Sequence, residues 1–316
     1  MIQKFGLLIL SLIFIQGANA GESPMEVVTT LADLAEVAKQ VGGDSVNVKS
    51  LLTGAEDPHF VDAVPQYIVQ VASSDLVVAV GLSLEIGWLP QVLERSGNIR
   101  VQKGAPGYLE VGAQIQVLGK LQEPVDRSMG HVHPEGNPHF YLAPSRLIEA
   151  ARVIQAKLTE LRPKKAAEFE ANVQKFSKKM KSIQEKGIKR IRQALNQHQP
   201  SKGDADSKLK VIQYHEELDY FFKDYQIQSQ GSIEHTPGVP PSMGQIIAAS
   251  KQARAEKIKL AIQMDHHPTN VMKRFETLSQ VKSISVPGGV KLTDPKLSSL
   301  EGVQERLVSR IIQGLQ

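Results

Sequence analysis

Leu76-Val77-Val78-Ala79-Val80-Gly81 is an unbroken apolar run closed by a glycine. A strand with one wet face alternates apolar and polar residues, whereas a strand buried on both faces does not. The run therefore predicts a central strand of a parallel sheet covered by helices. Its surroundings agree. Upstream, Val27 to Thr30 reads as a strand and Leu31 to Val41 as a helix stopped by Gly42-Gly43. Val46 to Leu52 reads as a second strand and Pro65 to Ala72 as a helix; downstream, Ile86 to Arg95 is helical in pattern. The alternation of strand and helix argues for an α/β unit.

The stretch from Glu123 to Asn137 is loop-like. Pro144 can open a helix running to Leu161, and Pro163 interrupts it. A highly charged helical pattern then runs from Lys164 to Gln197. Its apolar residues are Phe169, Val173, Phe176, Met180, Ile183, Ile188, Ile191 and Leu195, spaced as one narrow stripe. Such a helix suits a bridge between two lobes. His198 to Ser207 is polar and reads as a loose surface loop. The α/β rhythm then restarts with strands at Leu209–Tyr214, Lys259–Met264 and Ser283–Val286, and helices at Glu217–Tyr225, Met243–Ala255, Thr269–Leu278 and Leu300–Leu315. The expected fold is α/β with two lobes, each a mostly parallel sheet covered by helices, joined by one long linking helix. Its expected division is a signal peptide at 1–20, a first lobe at 21–163, the linking helix at 164–197 and a second lobe at 198–316.

Lys4, the apolar run Phe5 to Ile15 and Ala18-Asn19-Ala20 form a signal for export with a small-x-small cleavage site. The mature chain is expected to start near Gly21 and to work in a periplasm. The sequence has no cysteine. Disulfides and lipid attachment at cysteine are thereby excluded, and a transition-metal site must use imidazole and carboxylate. The formal charge of +4 is mild for 316 residues. The Lys-rich stretch 173–190 reads as a solvated helix face, because no aromatic residues interleave regularly for base stacking.

Three distant histidines carry the chemistry. His59 sits in Glu56-Asp57-Pro58-His59-Phe60, His139 in Asn137-Pro138-His139-Phe140, and His215 in Tyr214-His215-Glu216-Glu217. Two share the pattern Pro-His-aromatic, and proline fixes the backbone that presents the ring. His215 follows an apolar strand directly, and Asp265 follows the next strand of the same lobe. Ligands of open α/β sheets bind beyond the carboxyl ends of the strands, so these two can converge. With His59 and His139 from the first lobe they would place a metal between the lobes. Three imidazoles and one oxygen suit Zn²⁺. His266 or His267 could replace Asp265. His131 and His133 form a His-x-His pair in a loop, with metal capture and a plain surface loop both open. Glu216 and Glu217 are expected at a helix start, where the dipole favours acids. No His-Glu-x-x-His, Gly-x-Ser-x-Gly or P-loop pattern occurs. A secreted zinc hydrolase would also need a general base beside the metal, and none is legible.

These segments, in this order and spacing, resemble the periplasmic metal-binding proteins of bacterial zinc/manganese ABC transporters (metal-binding cluster A-I). Gly54 to Phe60 is similar to the family's Asp-Pro-His segment. Ser74 to Glu85 with Trp88-Leu89 is similar to its Asp-hydrophobic-Gly-Leu-Glu-Trp segment. Asn137 to Pro144 resembles Asp-Pro-His-hydrophobic-Trp-Leu-Asp-Pro, and Tyr214 to Phe221 resembles His-x-x-hydrophobic-x-Tyr-Phe. The resemblance implies two lobes, a rigid long helix and one metal in the cleft, held by His59, His139 and His215. It implies a fourth ligand that is a carboxylate of the C-terminal lobe. Asp265 is the expected residue, with Asp294, His266, His267 or water as alternatives. The chain departs from the family at Asn137, at Ala143 and at Val239-Pro240-Pro241-Ser242. The expected function is capture of Zn²⁺ by a monomer that delivers it to an ABC transporter membrane permease, with no catalysis. A Mn²⁺ or Fe²⁺ binder of the same type and a metal-dependent adhesin are the alternatives.

Overall fold

The protein is described by a computed structural model over residues 22–121, 133–198, 208–234 and 238–316. The export signal expected at 1–20, His131, His235 and residues 199–207 of the stretch expected as a surface loop lie outside the described residues.

Strand β1 (Met25–Thr29) leads into helix α1 (Ala32–Gly42), and β2 (Val46–Ser50) is followed by α2 (Pro65–Ala72). Strand β3 (Leu76–Ala79), helix α3 (Leu89–Ser96) and strand β4 (Tyr108–Glu110) complete a sheet of order β2-β1-β3-β4. All its pairings are parallel. The apolar run Leu76 to Ala79 is the inner strand it was expected to be, with every residue buried. β2 lies on an edge and alternates half-buried and exposed residues. β4 has no counterpart in the sequence reading. It is an edge strand of three residues with only Leu109 buried, so it carries no apolar pattern.

Helix α4 (Pro144–Leu161) starts at its proline, whose missing N–H is not needed in the first turn. Helix α5 (Ala166–His198) is the long connector and packs against α1 and α4. The second sheet holds β5 (Lys210–Gln213), β6 (Gln228–Ser232), β7 (Leu260–Met264) and β8 (Ser283–Val286) in the order β6-β5-β7-β8, again all parallel. Helices α6 (Asp219–Asp224), α7 (Met243–Ala255), α8 (Thr269–Ser279) and α9 (Leu300–Leu315) cover it. A capping box between Ser242 and Gln245 starts α7. β6 was also missed in the sequence: Gln-Ser-Gln-Gly-Ser has no large apolar residue and pairs only along an edge. The helix expected from Glu217 begins two residues later, at Asp219, which leaves Glu217 in the preceding turn. The helix expected from Ile86 begins at Leu89.

One apolar core runs from the first sheet through α5 to β7, β8 and α9. Helix α5 approaches Tyr225 and α9 closely at Gly187, where an added Cβ would stand 2.4 Å from Tyr225 Cε1. Polar contacts tie the lobes directly. The Gln304 amide donates to the Leu142 carbonyl at 2.9 Å, and the Tyr220 hydroxyl donates to the Asn137 carbonyl at 2.7 Å. Asp224 accepts from the Ser145 backbone N–H and hydroxyl at 2.7 Å each, which caps the start of α4. The Val290 N–H donates to Asp33 at 3.1 Å, and the Leu292 N–H to the Thr53 carbonyl at 2.9 Å. These contacts turn the carboxyl ends of the two sheets toward one cleft.

Candidate metal centre

His59, His139 and His215 meet in that cleft. Each offers a ring nitrogen, and the three atoms lie within 4.8 Å of one another. The ring centroids are 5.0 Å apart for His59–His139, 5.7 Å for His59–His215 and 5.5 Å for His139–His215. His215 stands nearly perpendicular to both other rings, at 87° and 88°. All three are buried, His139 to 1% exposure.

The local backbone explains how two of them are aimed. In Asp57-Pro58-His59 the aspartate Oδ1 accepts the His59 N–H at 3.0 Å. In Asn137-Pro138-His139 the amide Oδ1 accepts the His139 N–H at 2.9 Å. Both are Asx turns with proline at the centre, so the two similar tripeptides fold alike. Asn137 preserves the acceptor that an aspartate would supply, and its amide also donates to the Glu216 carbonyl of the other lobe at 2.6 Å. Trp88 donates its indole N–H to the Pro58 carbonyl at 3.0 Å and fixes the first turn from behind. His215 follows β5 after one intervening residue, Tyr214.

Every ring uses Nδ1 for a protein partner. His59 Nδ1 is 2.9 Å from Asp57, His139 Nδ1 is 3.1 Å from the Tyr141 hydroxyl, and His215 Nδ1 is 2.6 Å from Glu234. With Nδ1 protonated and donating, a neutral ring leaves the lone pair on Nε2, as for His139 and His215; His59 Nε2 already meets His133. His139 Nε2 is buried with no hydrogen-bond partner, an arrangement a metal ion would satisfy. Outer partners of this kind set the tautomer and the ring orientation of a metal-ligating histidine. Burial, then the neighbouring His59, holds His139 well below the usual histidine range, so it is neutral at pH 7. Burial also opposes charge on His215, but the Glu234 hydrogen bond and the charges of Glu217, Glu234 and Glu216 outweigh it and raise its pKa.

His133 is the fourth imidazole nearby. Its Nδ1 is 2.9 Å from the Leu82 carbonyl and its Nε2 is 3.2 Å from His59 Nε2. The carbonyl is presented by Gly81-Leu82-Ser83, three successive residues with φ of 76°, 54° and 64°. Two non-glycine residues in the left-handed region are a local cost retained beside the cleft.

Asp265 does not join the triad. It stands at the end of β7 as expected, but its carboxylate is 2.5 Å from Lys291 Nζ, and it is not among the donors that share the 4.8 Å distance. Asp294 accepts the Lys296 N–H at 2.9 Å and is also absent from the group. His266 and His267 instead gather around Glu217. Glu234 was not foreseen, because it follows the unrecognised edge strand β6. Tyr141 lay within a quoted segment, and its position two residues after His139 was the available signal.

The family profile described as zinc-uptake complex component A, periplasmic, matches residues 27–307. The zinc-binding lipoprotein AdcA of Streptococcus pneumoniae is 24% identical over 251 residues, covering 79% of this chain and 47% of that protein. The chain thus spans about half the length of that relative. A crystal structure of ZnuA superimposes with a TM-score of 0.71 at 19% identity over 93% of this chain and all of the other. The solute-binding protein FpvC of Pseudomonas aeruginosa, solved with Mn²⁺, gives 0.74 at 19% identity over 93% of this chain and 98% of the other. Among the described residues no helix is long and apolar enough to cross a membrane. With the family profile matched along most of its length, the chain belongs to the periplasmic component A family of zinc-uptake complexes.

Proposed function

We propose that this protein captures Zn²⁺ in the interlobe cleft through His59, His139 and His215 and delivers it to the membrane permease of an ABC importer. It acts as an extracytoplasmic monomer, with lobes at 21–163 and 198–316 and the linking helix at 164–197. The observation that carries the reading is the buried Nε2 of His139, unpartnered and facing two more imidazoles whose Nδ1 atoms are already occupied. Zn²⁺ takes nitrogen donors at about 2.0–2.1 Å, which sets them roughly 3.3 Å apart in a tetrahedron. A small contraction of the cleft brings the triad to that spacing. His133, 3.2 Å from His59, supplies the fourth donor by a short inward shift, or water does. An all-imidazole set favours Zn²⁺ over Mn²⁺, which prefers carboxylate and water.

Metal content after exposure to equal Zn²⁺ and Mn²⁺, read by native mass spectrometry and elemental analysis, tests this. One Zn²⁺ per chain in the cleft is expected, lost in His139→Ala. Preferential retention of Mn²⁺ would refute the specificity, and no retained metal would refute the function. Trp88 is the single tryptophan and is bonded beside His59, so its fluorescence reports the same event.

A further inference from the structure

A second group of donors lies in the C-terminal lobe, outside the triad. Glu217, in the turn after β5, faces His266 and His267, in the turn after β7, and one donor atom from each lies within 4.8 Å of the others. Each carboxylate oxygen meets one ring: Oε2 is 2.8 Å from His267 Nε2, and Oε1 is 3.1 Å from His266 Nε2. The second pair is close but misaligned. His266 Nε2 is buried and makes no hydrogen bond. The two groups stand at ion-pair distance, so a proton on His266 or a divalent cation held between them would each balance the buried carboxylate.

The rings are held in place. Tyr214 packs on His267 with centroids 4.4 Å apart and planes 30° apart. His266 rests over Gly288, where a Cβ would come 2.9 Å from its Nδ1. Glu217 is 4% exposed, while the two histidines are only partly covered and reachable from solvent. The cluster neighbours the cleft: the His215 and His267 centroids are 6.4 Å apart.

We propose that Glu217, His266 and His267 form a second divalent-cation site in the C-terminal lobe, separate from the triad. Two imidazoles and one carboxylate suit a borderline ion of the Zn²⁺ class, with a position left for water or for an exchanging ligand. The site goes beyond the cargo function and does not require it. Its place at the cleft wall makes it a waiting position from which an ion can pass to the triad.

The experiment counts Zn²⁺ on the mature chain by native mass spectrometry and calorimetric titration with Zn²⁺ alone. Wild type should take two ions. His266→Gln/His267→Gln should take one, with the affinity of the remaining ion changed less than threefold, and Glu217→Gln should also take one. His139→Gln/His215→Gln should keep one ion at the second site. Thermal melts without metal verify folding, and the wild-type count needs no variant. A single ion in wild type would overturn the second site and leave the cargo reading standing. Two ions persisting in His266→Gln/His267→Gln would place the second ion elsewhere and overturn it also. A tenfold or greater loss at the one remaining ion would show that these residues serve the triad, which equally overturns a separate site. Loss of the triad ion alone in His139→Gln/His215→Gln is the outcome that tests the cargo reading.

Discussion

Replacing Glu234 tests the reasoning at its most exposed point. Its carboxylate is 2.6 Å from His215 Nδ1, and both side chains are almost fully buried, at 7% and 8% exposure. Two effects oppose each other. The carboxylate fixes the tautomer that leaves Nε2 open, and loss of such a partner costs about ten- to a hundredfold in metal affinity, or roughly 1.4–2.7 kcal/mol. It also raises the His215 pKa, so that a proton competes with the metal from a higher pH than for an ordinary imidazole. Burial alone would lower that pKa, so removing Glu234 reduces the competition. At pH 8 proton competition is weaker than at pH 6 and orientation weighs more, so Glu234→Ala should there bind Zn²⁺ about ten- to a hundredfold more weakly. As pH falls toward 6, wild type loses affinity first and the gap narrows. Glu234→Gln keeps an amide oxygen to accept from Nδ1–H but removes the charge. It should lose less at pH 8, and its binding curve should move to lower pH. Competition against a chromophoric chelator between pH 6 and pH 8 measures both. Unchanged affinity of Glu234→Ala at pH 8, with the fold intact, would refute the orienting role. A Glu234→Gln profile that overlays wild type would refute the electrostatic one.

Zn²⁺ at a thousandfold excess over Kd should stabilise the fold by about 4 kcal/mol; His215→Ala should abolish that shift in the melt, and Asp265→Ala, whose carboxylate is engaged by Lys291, should retain it. Burial pushes the Asp33 carboxyl up to about 7, against an ordinary 3.8. A raised acid pKa gives stability that is full below the unfolded value and is lost as pH rises from about 4 through about 7, at roughly 1.4 kcal/mol per pH unit for one group. Asp33→Asn keeps the acceptor for Val290, so denaturant unfolding at pH 5 and pH 8 should show a smaller loss than in wild type; equal losses would count against it. Gly187→Ala gains helix propensity but drives a methyl into Tyr225, and a net loss of about 1–3 kcal/mol should appear in thermal melts.

What the sequence by itself determined was set by local chemistry. Inner strands buried on both faces must be apolar throughout, so Leu76–Ala79 was legible as a strand. Pro65 and Pro144 mark helix starts because proline suits the first turn, and the narrow stripe along 164–197 announced the connecting helix. The Pro-His pairs at 59 and 139 were legible because an Asx turn needs only neighbouring residues. What only the tertiary structure decided depended on residues far apart in the chain. The edge strands β4 and β6 owe their form to pairing rather than to their own apolar content. Glu234, just beyond β6, became the partner of His215 for the same reason. Asp265 obeyed the strand-end rule, yet Lys291, 26 residues away, took its carboxylate. Glu217 was expected at a helix start, but the helix began two residues later and freed the side chain to face His266 and His267. Sequence position brings a donor to the end of a strand; which neighbour neutralises it, and whether its lone pair is left for a metal, follows from how segments distant in the chain pack together.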